Sequence, residues 1–530
     1  MAFGDLALKL GMLLVFFGVM IYVGLYCRKH STDVNGFVLG GRNVGPWLTA
    51  FAYGTSYFSA VIFVGYAGQF GWKFGIAATW VGIGNALIGS LMAWVILGRR
   101  TRIMTQHLSS ATMPDFFEKR FSATSLKVAA SIIIFIFMIP YTASLYNGLS
   151  RLFRMAFNID YSVCVIVMAV LTAVYVIVGG YMATAVNDFI QGIIMLVGIV
   201  AVIAAVLGSK GGFMASLEKL SAVSDTGKGV ANGTVPGIFN SFFGPDPLGL
   251  LGVVLLTSLG TWGLPQMVGK FYAIKSEGSI HKGTIISTIF AMVVAGGCYF
   301  LGGFGRLFDS AKLYNPDGKL IYDAIVPEML SGLPSFLIAV VIILVLSASM
   351  STLSSLVLTS SSTVTLDLLK GRVIKDMDEK KQLLTMRILI VVFIVISAAL
   401  AIIQANSSVA FIAQAMGVSW GAMAGAFLAP FLYGLYWKRT TKAGCWTAML
   451  FSSVFMIIDM LANLKVLNVN LGFLQSPINA GAFCMIAGLV IVPLVSLISK
   501  APDKAEVDRI FSCYDRVVTV RAKDSIETEE

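Results

Sequence analysis

Segments of about 20 apolar residues recur along this chain from one end to the other, which is the length that a membrane-spanning helix needs. Hydrophobic residues make up 57% of the 530 residues and charged residues only 12%, and the mean hydropathy is +0.85. Backbone polar groups inside a bilayer must be satisfied within the segment itself, so such segments have to be helical. The sequence predicts an all-α polytopic membrane protein with about 13 transmembrane helices.

Lysine and arginine are concentrated in alternate loops between these segments. The basic side includes Arg99, Arg100, Lys119, the segment 370–381 and the C-terminal tail. The positive-inside rule makes this side cytoplasmic, which places the N-terminus outside and the C-terminus inside. The net charge of +11 therefore follows topology and does not indicate nucleic-acid binding. We expect a multi-pass protein of the cell (plasma) membrane that is surrounded by lipid and has no requirement for an oligomer.

Few residues in the predicted spans are suited to enzyme chemistry. The three histidines, His30, His107 and His281, all fall in predicted cytoplasmic loops. Without histidine in the spans, intramembrane metal or acid–base catalysis loses support. The chain also has no P-loop or other nucleotide-binding fingerprint. We therefore expect no enzyme and no organic cofactor, and transport that is driven by an ion gradient rather than by ATP.

The run Leu346–Ser355 carries six hydroxyl side chains in ten residues, inside an apolar segment. Helical spacing places two oxygen clusters on one stripe, with Ser351 shared between them. Such clusters could bind a small hard cation such as sodium, because hard cations prefer oxygen ligands. The alternative is that these hydroxyls bond to carbonyls of their own helix and allow close helix packing.

Two predicted spans contain helix-breaking residues near their middles. The second span is interrupted by Gly54–Ser59 and the seventh by Thr257–Pro265. Two broken helices five spans apart are typical of an inverted five-plus-five repeat, in which unwound backbone faces an ion and a substrate. The alternative is a pair of independent glycine and proline kinks.

Asp188 is the acidic residue that stands out in the predicted spans. It follows Asn187 at the start of the sixth span, shortly after Gly179 and Gly180. An ionised carboxylate at this depth requires a partner or a bound ion. It could complete the oxygen cluster of the ninth span, or it could be an acid that the dipole favours at a helix N-terminus.

The motifs of this chain resemble those of the sodium/solute symporter family, the group of the sodium–proline, sodium–sialic acid and sodium–galactose transporters. The resemblance extends from about residue 35 to about residue 450. The motifs that carry it are Phe37-Val-Leu-Gly-Gly-Arg42, Met113-Pro-Asp-Phe-Phe117, Gly179-Gly-Tyr181 followed by Asp188 and Gln191, and Met350-Ser-Thr-Leu-Ser354.

The resemblance implies a leucine-transporter-like fold with one additional N-terminal helix and two additional C-terminal helices. The expected segments are an N-terminal helix and cytoplasmic loop (1–46), a first five-helix repeat (47–208), an extracellular loop (209–247), a second five-helix repeat (248–436), two C-terminal helices (437–499) and a cytoplasmic tail (500–530).

The resemblance also implies the residues that bind the coupling ion, Na+. The main sodium site of the family matches the backbone carbonyls of Thr55 and Phe58, the carbonyl of Ala348, and the hydroxyls of Ser351 and Thr352. Some members have a second sodium site, and its ligands match Asp188, Ser351, Ser354 and Ser355, all of which carry oxygen donors in this chain.

The solute pocket differs from that of the sodium–proline branch, which is otherwise the nearest. Members of that branch have an aspartate where this chain has Tyr57, and aromatic residues at the positions of Thr257 and Thr261. Tyr141 matches their tyrosine. The candidate pocket residues are Tyr57, Ser59, Tyr141, Thr261, Trp262 and Gln414. For each of them, packing between core helices is the alternative role.

The sequence places no arginine or lysine at the predicted midplane, so a strongly anionic solute lacks a counter-ion. An amino acid or a monocarboxylate could bind at a half-helix N-terminus, and a sugar could use Trp80, Asn85 or Gln414. The leading hypothesis is sodium-coupled import of such a solute by alternating access. The alternatives are proton-coupled symport through Asp188 and a membrane sensor that binds a solute without transporting it.

Overall fold

A computed structural model of the protein describes residues 3–30, 32–157, 159–223, 236–404 and 411–515. Parts of the predicted extracellular loop (209–247) and of the predicted tail (500–530) lie outside the described residues. The described chain is built of helices, so the predicted all-α class is confirmed.

The α-helices fall into two groups, before and after the long loop that follows residue 223. The helices of the first group are α1 (Phe3–Cys27), α2 (Val34–Leu39), α3 (Pro46–Tyr57), α4 (Ala67–Phe74), α5 (Thr79–Gly84), α6 (Arg99–His107), α7 (Met113–Phe121), α8 (Thr124–Phe157), α9 (Tyr161–Ser209) and α10 (Phe213–Ser221). The helices of the second group are α11 (Pro247–Gly263), α12 (Pro265–Ala273), α13 (Glu277–Gly302), α14 (Ile325–Ser331), α15 (Ser335–Thr363), α16 (Glu379–Gln404), α17 (Phe411–Tyr436), α18 (Lys442–Asn463), α19 (Pro477–Ile498) and α20 (Lys504–Phe511).

Ten helical stretches of the described chain are long and apolar enough to cross a membrane, and the bent pair α11–α12 makes eleven. One stretch, Val61–His107, joins α4, α5 and α6 through π-helical and 3₁₀ turns over 47 residues. The multi-pass character is confirmed. The count of thirteen spans stays a prediction.

Both predicted interruptions are present. Helix α3 ends at Phe58, whose φ of −84° and ψ of 125° are those of extended backbone. Helix α11 ends in the same way at Leu264, with φ −79° and ψ 122°, and α12 leaves it at an angle of 45°. Pro265, the first residue of α12, has no backbone N–H to donate to the preceding turn. The helical hydrogen bonds of α11 therefore stop here.

Helices α15 and α17 are the most buried spans, whereas α1, α16, α18 and α19 expose most of their surface at the periphery. Helix α15 packs against α3, α8 and α9. The hydroxyl-rich run of α15 is therefore enclosed by protein on all sides, and α3 presents its broken end to this run.

Candidate functional site

The break in α3 brings two backbone carbonyls to the hydroxyl run of α15. The last four carbonyls of an α-helix have no partner within the helix, and Thr55 belongs to this last turn. The Ser351 hydroxyl lies 3.1 Å from the carbonyl oxygen of Thr55. The Thr352 hydroxyl lies 3.2 Å from the same oxygen and 3.3 Å from that of Phe58. The unwound end of α3 is thus within bonding distance of α15.

The carbonyl of Ala348 completes this group, which we call the main cluster: Thr55, Phe58, Ala348, Ser351 and Thr352. The Ala348 oxygen lies 3.0 Å from the Ser351 hydroxyl and 3.1 Å from that of Thr352. All five residues are buried. Three carbonyl oxygens and two hydroxyl oxygens thus converge in one buried place. Such a group of buried oxygens suits a small hard cation.

The four residues of the predicted second sodium site are arranged differently. Asp188 is fully buried, and its carboxylate lies 3.7 Å from the ammonium group of Lys270. This ammonium donates to the Ser355 hydroxyl at 3.0 Å. Ser355 also shares a hydrogen bond of 2.8 Å with Ser56. We call Asp188, Lys270, Ser355 and Ser56 the lysine cluster.

The other two residues of that predicted site bond elsewhere. The Ser351 hydroxyl belongs to the main cluster, and the Ser354 hydroxyl donates to the Ser351 carbonyl at 2.9 Å. The sequence analysis missed Lys270, because a basic residue at the end of an apolar segment has the appearance of a membrane-flanking charge. No feature of the sequence shows that it contacts Asp188.

Two of the predicted pocket residues share an aromatic partner that the sequence analysis also missed. The ring centroids of Tyr57 and Tyr141 lie 5.7 Å and 6.0 Å from that of Trp420 on α17. All three side chains are buried. The hydroxyls of Tyr57 and Tyr141 and that of nearby Ser59 have no hydrogen-bond partner among the residues described by the structure. Buried polar groups without partners are typical of sites that receive a ligand.

Two other candidates, Thr261 and Trp262, already have partners in the protein. Thr261 donates to the carbonyl of Gly89 at 2.8 Å, and Trp262 donates to that of Ile88 at 2.9 Å. These two bonds tie α11 to the π-helical stretch that follows α5. Gln414 is half-buried near the start of α17.

Two of the three residues considered for a sugar form hydrogen bonds within the protein as well. Trp80 donates to the Phe242 carbonyl at 2.9 Å, and the Asn85 side-chain oxygen accepts from the Ser258 hydroxyl at 3.1 Å. The first bond connects α5 to the loop before α11, and the second connects the π-helical stretch after α5 to α11 itself. The Asn85 side-chain nitrogen has no hydrogen-bond partner among the described residues, as is also true of the Tyr57 and Tyr141 hydroxyls.

Residues 37–452 match the sodium:solute symporter family. The chain belongs to this family. It is 30% identical over 506 residues to the sodium/proline symporter of Staphylococcus aureus, with 93% of each chain covered. It is 28% identical over 520 residues to the osmoregulated proline transporter OpuE of Bacillus subtilis, with 95% of this chain and 97% of the relative covered.

Solved structures of transporters share the fold. A sodium-coupled sialic acid symporter aligns with a TM-score of 0.71 at 18% identity, covering 93% of this chain and 98% of that one. The nucleobase-cation symporter Mhp1 aligns with a TM-score of 0.52 at 12% identity, covering 90% and 98%. These neighbours have the leucine-transporter-like fold. Family and relatives together establish the protein as a multi-pass membrane transporter that carries out sodium-coupled symport of a small solute.

In this symporter, cavities lie at both ends of the helix bundle. One end has a polar cavity of about 730 Å³, lined by Asn147, Tyr161 and Asp323 among others. Arg151 lies 3.8 Å from the Asp323 carboxylate there. Burial raises the pKa of Asp323, and the Arg151 guanidinium opposes this effect. At the other end, a narrow cavity of about 50 Å³ is lined by Lys270 and its neighbours.

Proposed function

We propose that the protein imports a small organic solute, an amino acid, a monocarboxylate or a sugar, by alternating access with sodium bound in the main cluster. The observation that carries this proposal is the group of five converging oxygens at the break of α3, where three carbonyls meet two hydroxyls. A sodium ion would be coordinated by these buried oxygens, since hard cations prefer oxygen ligands.

The position of the main cluster suggests how sodium is coupled to the solute. Sodium in this cluster would hold the unwound end of α3 against α15. Tyr57 and Ser59, which flank the same break, carry the unpartnered hydroxyls of the candidate pocket. Ion binding would therefore order the backbone that receives the solute, and both ligands would together shift the population toward the inward-open state.

The chemistry of the pocket favours a solute with both polar and apolar parts. The rings of Tyr57, Tyr141 and Trp420 offer an apolar wall, and the free tyrosine hydroxyls offer hydrogen bonds. Proline is the first solute to test, because two relatives are proline transporters. Tyr57 and Thr261 stand where the proline branch has other residues, so a different amino acid or a monocarboxylate belongs in the same panel.

We also propose the full topology of thirteen spans with the five-plus-five repeat. At 1.5 Å per residue, the 47-residue stretch Val61–His107 is about 70 Å long, which is enough for two crossings. Gly75, at φ +63°, supplies a break within it. Gly180, at φ +57°, supplies another within α9. The basic loops support an orientation in the plasma membrane with the N-terminus outside and the C-terminus in the cytoplasm.

The test is uptake by the purified full-length protein in liposomes. Radiolabelled proline and a panel of amino acids, monocarboxylates and sugars would be supplied with an inward sodium gradient, and potassium or choline would replace sodium in the controls. Accumulation of one solute that requires sodium and is lost in Thr352→Val is expected. Uptake driven by a proton gradient without sodium would contradict the proposal and favour coupling through Asp188. Saturable solute binding without any uptake would instead favour the sensor.

A further inference from the structure

We propose that the ammonium group of Lys270 is the resident cation of the lysine cluster, so that the protein binds one sodium ion and removal of this charge opens a second sodium site. This inference rests on the proposed function, because it concerns the number of ions that the same transporter binds.

The ammonium group of Lys270 lies in surroundings that suit a cation. Lys270 is 3% exposed, and its ammonium lies 3.0 Å from the Ser355 hydroxyl and 3.7 Å from the Asp188 carboxylate. It also lies 5.3 Å from the centre of the Tyr181 ring. A carboxylate, a hydroxyl and an aromatic face are all groups that attract a cation. The lysine side chain thus occupies a site built for positive charge.

The charges of Lys270 and Asp188 balance each other. Neither oxygen of the Asp188 carboxylate accepts a hydrogen bond within the described part of the chain. Lys270 is the basic group that forms an ion pair with it. A buried carboxylate needs one positive charge, and the ammonium supplies it. A sodium ion at the same carboxylate would lie within a few ångströms of that ammonium, and the two cations would repel each other strongly in a buried environment.

The lysine cluster lies next to the main cluster and beside a cavity. Ser355 follows Ser351 and Thr352 by one helical turn on α15. The bend of 45° after Leu264 directs α12, with Lys270, toward α15 and α3. Lys270 and Ser355 both line the narrow cavity, together with Gln266. An ion from solution would therefore have a route to this place if the ammonium were absent.

The test counts bound sodium on the purified full-length protein, with radioactive sodium at equilibrium and choline as the replacing cation. The wild type is expected to bind one ion with a Hill coefficient of about 1, since one site then accounts for all binding. Lys270→Met, which keeps the length of the side chain but not its charge, is expected to bind two. The double variant Lys270→Met/Asp188→Asn is expected to return to one ion, because the carboxylate of the second site is gone.

Lys270→Arg is the matched control, since it keeps the positive charge and should bind a single ion. If Lys270→Met does not fold, Lys270→Gln, which keeps a polar side chain but removes the charge, is counted in its place and is expected to bind two ions. Two sodium ions in the wild type, or a single ion in folded Lys270→Met, would overturn the inference while leaving the proposed function intact. No saturable sodium binding in the wild type would overturn the proposed function, and the inference with it.

Discussion

Ser351 and Thr352 each carry one hydroxyl proton, and each lies within bonding distance of more than one carbonyl oxygen. The Ala348 carbonyl lies within the continuous helix α15, whereas those of Thr55 and Phe58 lie at the unwound end of α3. Each hydroxyl therefore reaches across the interface to α3 as well as to its own helix. At the scale of single residues, this contact with unwound backbone is the feature that separates the main cluster from hydroxyls that bond only to their own helix.

Ser349 provides the contrast within the same helix, because its hydroxyl donates to the Val345 carbonyl at 2.8 Å. We predict that Ser351→Ala raises the sodium concentration for half-maximal thermal stabilisation by about 10- to 100-fold, since a hydrogen-bond partner of a charged group contributes about 1.5–3 kcal/mol. Ser349→Ala should leave this concentration unchanged. The measurement is the apparent melting temperature against sodium concentration, with choline as control. Equal effects of the two substitutions would contradict the assignment.

Lys270 shows where prediction from the sequence stops at this scale. The ligand types of both clusters were predictable, because hydroxyls and a carboxylate inside apolar spans require polar partners. The buried position of Lys270 was not predictable, because it depends on the bend after Leu264, which directs α12 inward. Trp420 was missed for a similar reason. In the sequence, a tryptophan in an apolar span indicates only packing. The structure shows that two tyrosine rings contact it.

At the scale of helices, both breaks were predictable because glycine, hydroxyl residues and proline interrupted long apolar runs at Gly54–Ser59 and Thr257–Pro265. The conformation of Gly180 was not evident from the sequence. Its φ of +57° and ψ of −152° are accessible to glycine and disfavoured for other residues. This single residue sets the angle between the two parts of α9, and thereby the place of Asp188 two turns later.

We predict that Gly180→Ala destabilises the protein by on the order of 1–3 kcal/mol, because alanine would be strained at this φ and ψ. Its added Cβ would also lie 2.8 Å from the Phe37 ring. Gly208→Ala, at a position in α9 where a Cβ meets no atom within 4 Å, is the matched control and should be neutral. Thermal unfolding of both variants checks the prediction. If Gly180→Ala melted with the wild type, the break in α9 would not require glycine.

Lys127 connects three helical segments. Its ammonium lies 3.1 Å from Asp115 and 2.8 Å from Glu118 on α7, and 3.5 Å from Asp367 in the turn that extends α15. The Asp367 carboxylate is buried and also accepts from the Thr112 hydroxyl at 2.7 Å. One cation thus neutralises carboxylates from two elements and holds them together.

Removal of this cation would leave Glu118 and the buried Asp367 without it, while Asp115 would keep its ion pair of 2.8 Å with Lys119. We predict that Lys127→Met destabilises the protein by about 3 kcal/mol, as expected when one partner of a buried ion pair is lost. Lys127→Met/Asp367→Asn should recover part of the loss, because the most buried carboxylate is then neutral. Backbone hydrogen exchange of residues 109–127 should be faster in Lys127→Met than in the wild type. Lys375→Met, which replaces an exposed lysine, is the control and should leave this exchange unchanged. Unchanged exchange in Lys127→Met would show that packing alone holds α7.

At the scale of the whole molecule, hydropathy predicted the helical class and the membrane character, because both depend on local composition. It did not predict which helices form the centre. Helix α17 is the most buried span and α1 the least, although both are strongly apolar. A helix that packs against protein and a helix that faces lipid are both rich in apolar residues. Only the packing in the structure distinguishes a central helix from a peripheral one.

The C-terminal helix α20 joins elements from distant parts of the sequence at one end of the bundle. Its Phe511 ring lies 4.9 Å from the guanidinium of Arg120, which also donates to the Gly434 carbonyl at 2.8 Å. Asp508 forms an ion pair of 2.7 Å with Lys438. Tyr514, just beyond α20, donates to the Arg100 carbonyl at 3.3 Å.

We predict that truncation after Ser499 lowers the apparent melting temperature, whereas truncation after Asp515 leaves it unchanged. The shorter chain loses the cover of the buried Arg120 guanidinium, while the longer one keeps the contacts of Phe511, Asp508 and Tyr514. The ion pair with Lys438 is exposed and contributes little, so Lys438→Met should reproduce only a small part of the loss. If Lys438→Met reproduced the whole effect, charge rather than the packing of Phe511 on Arg120 would hold α20 in place.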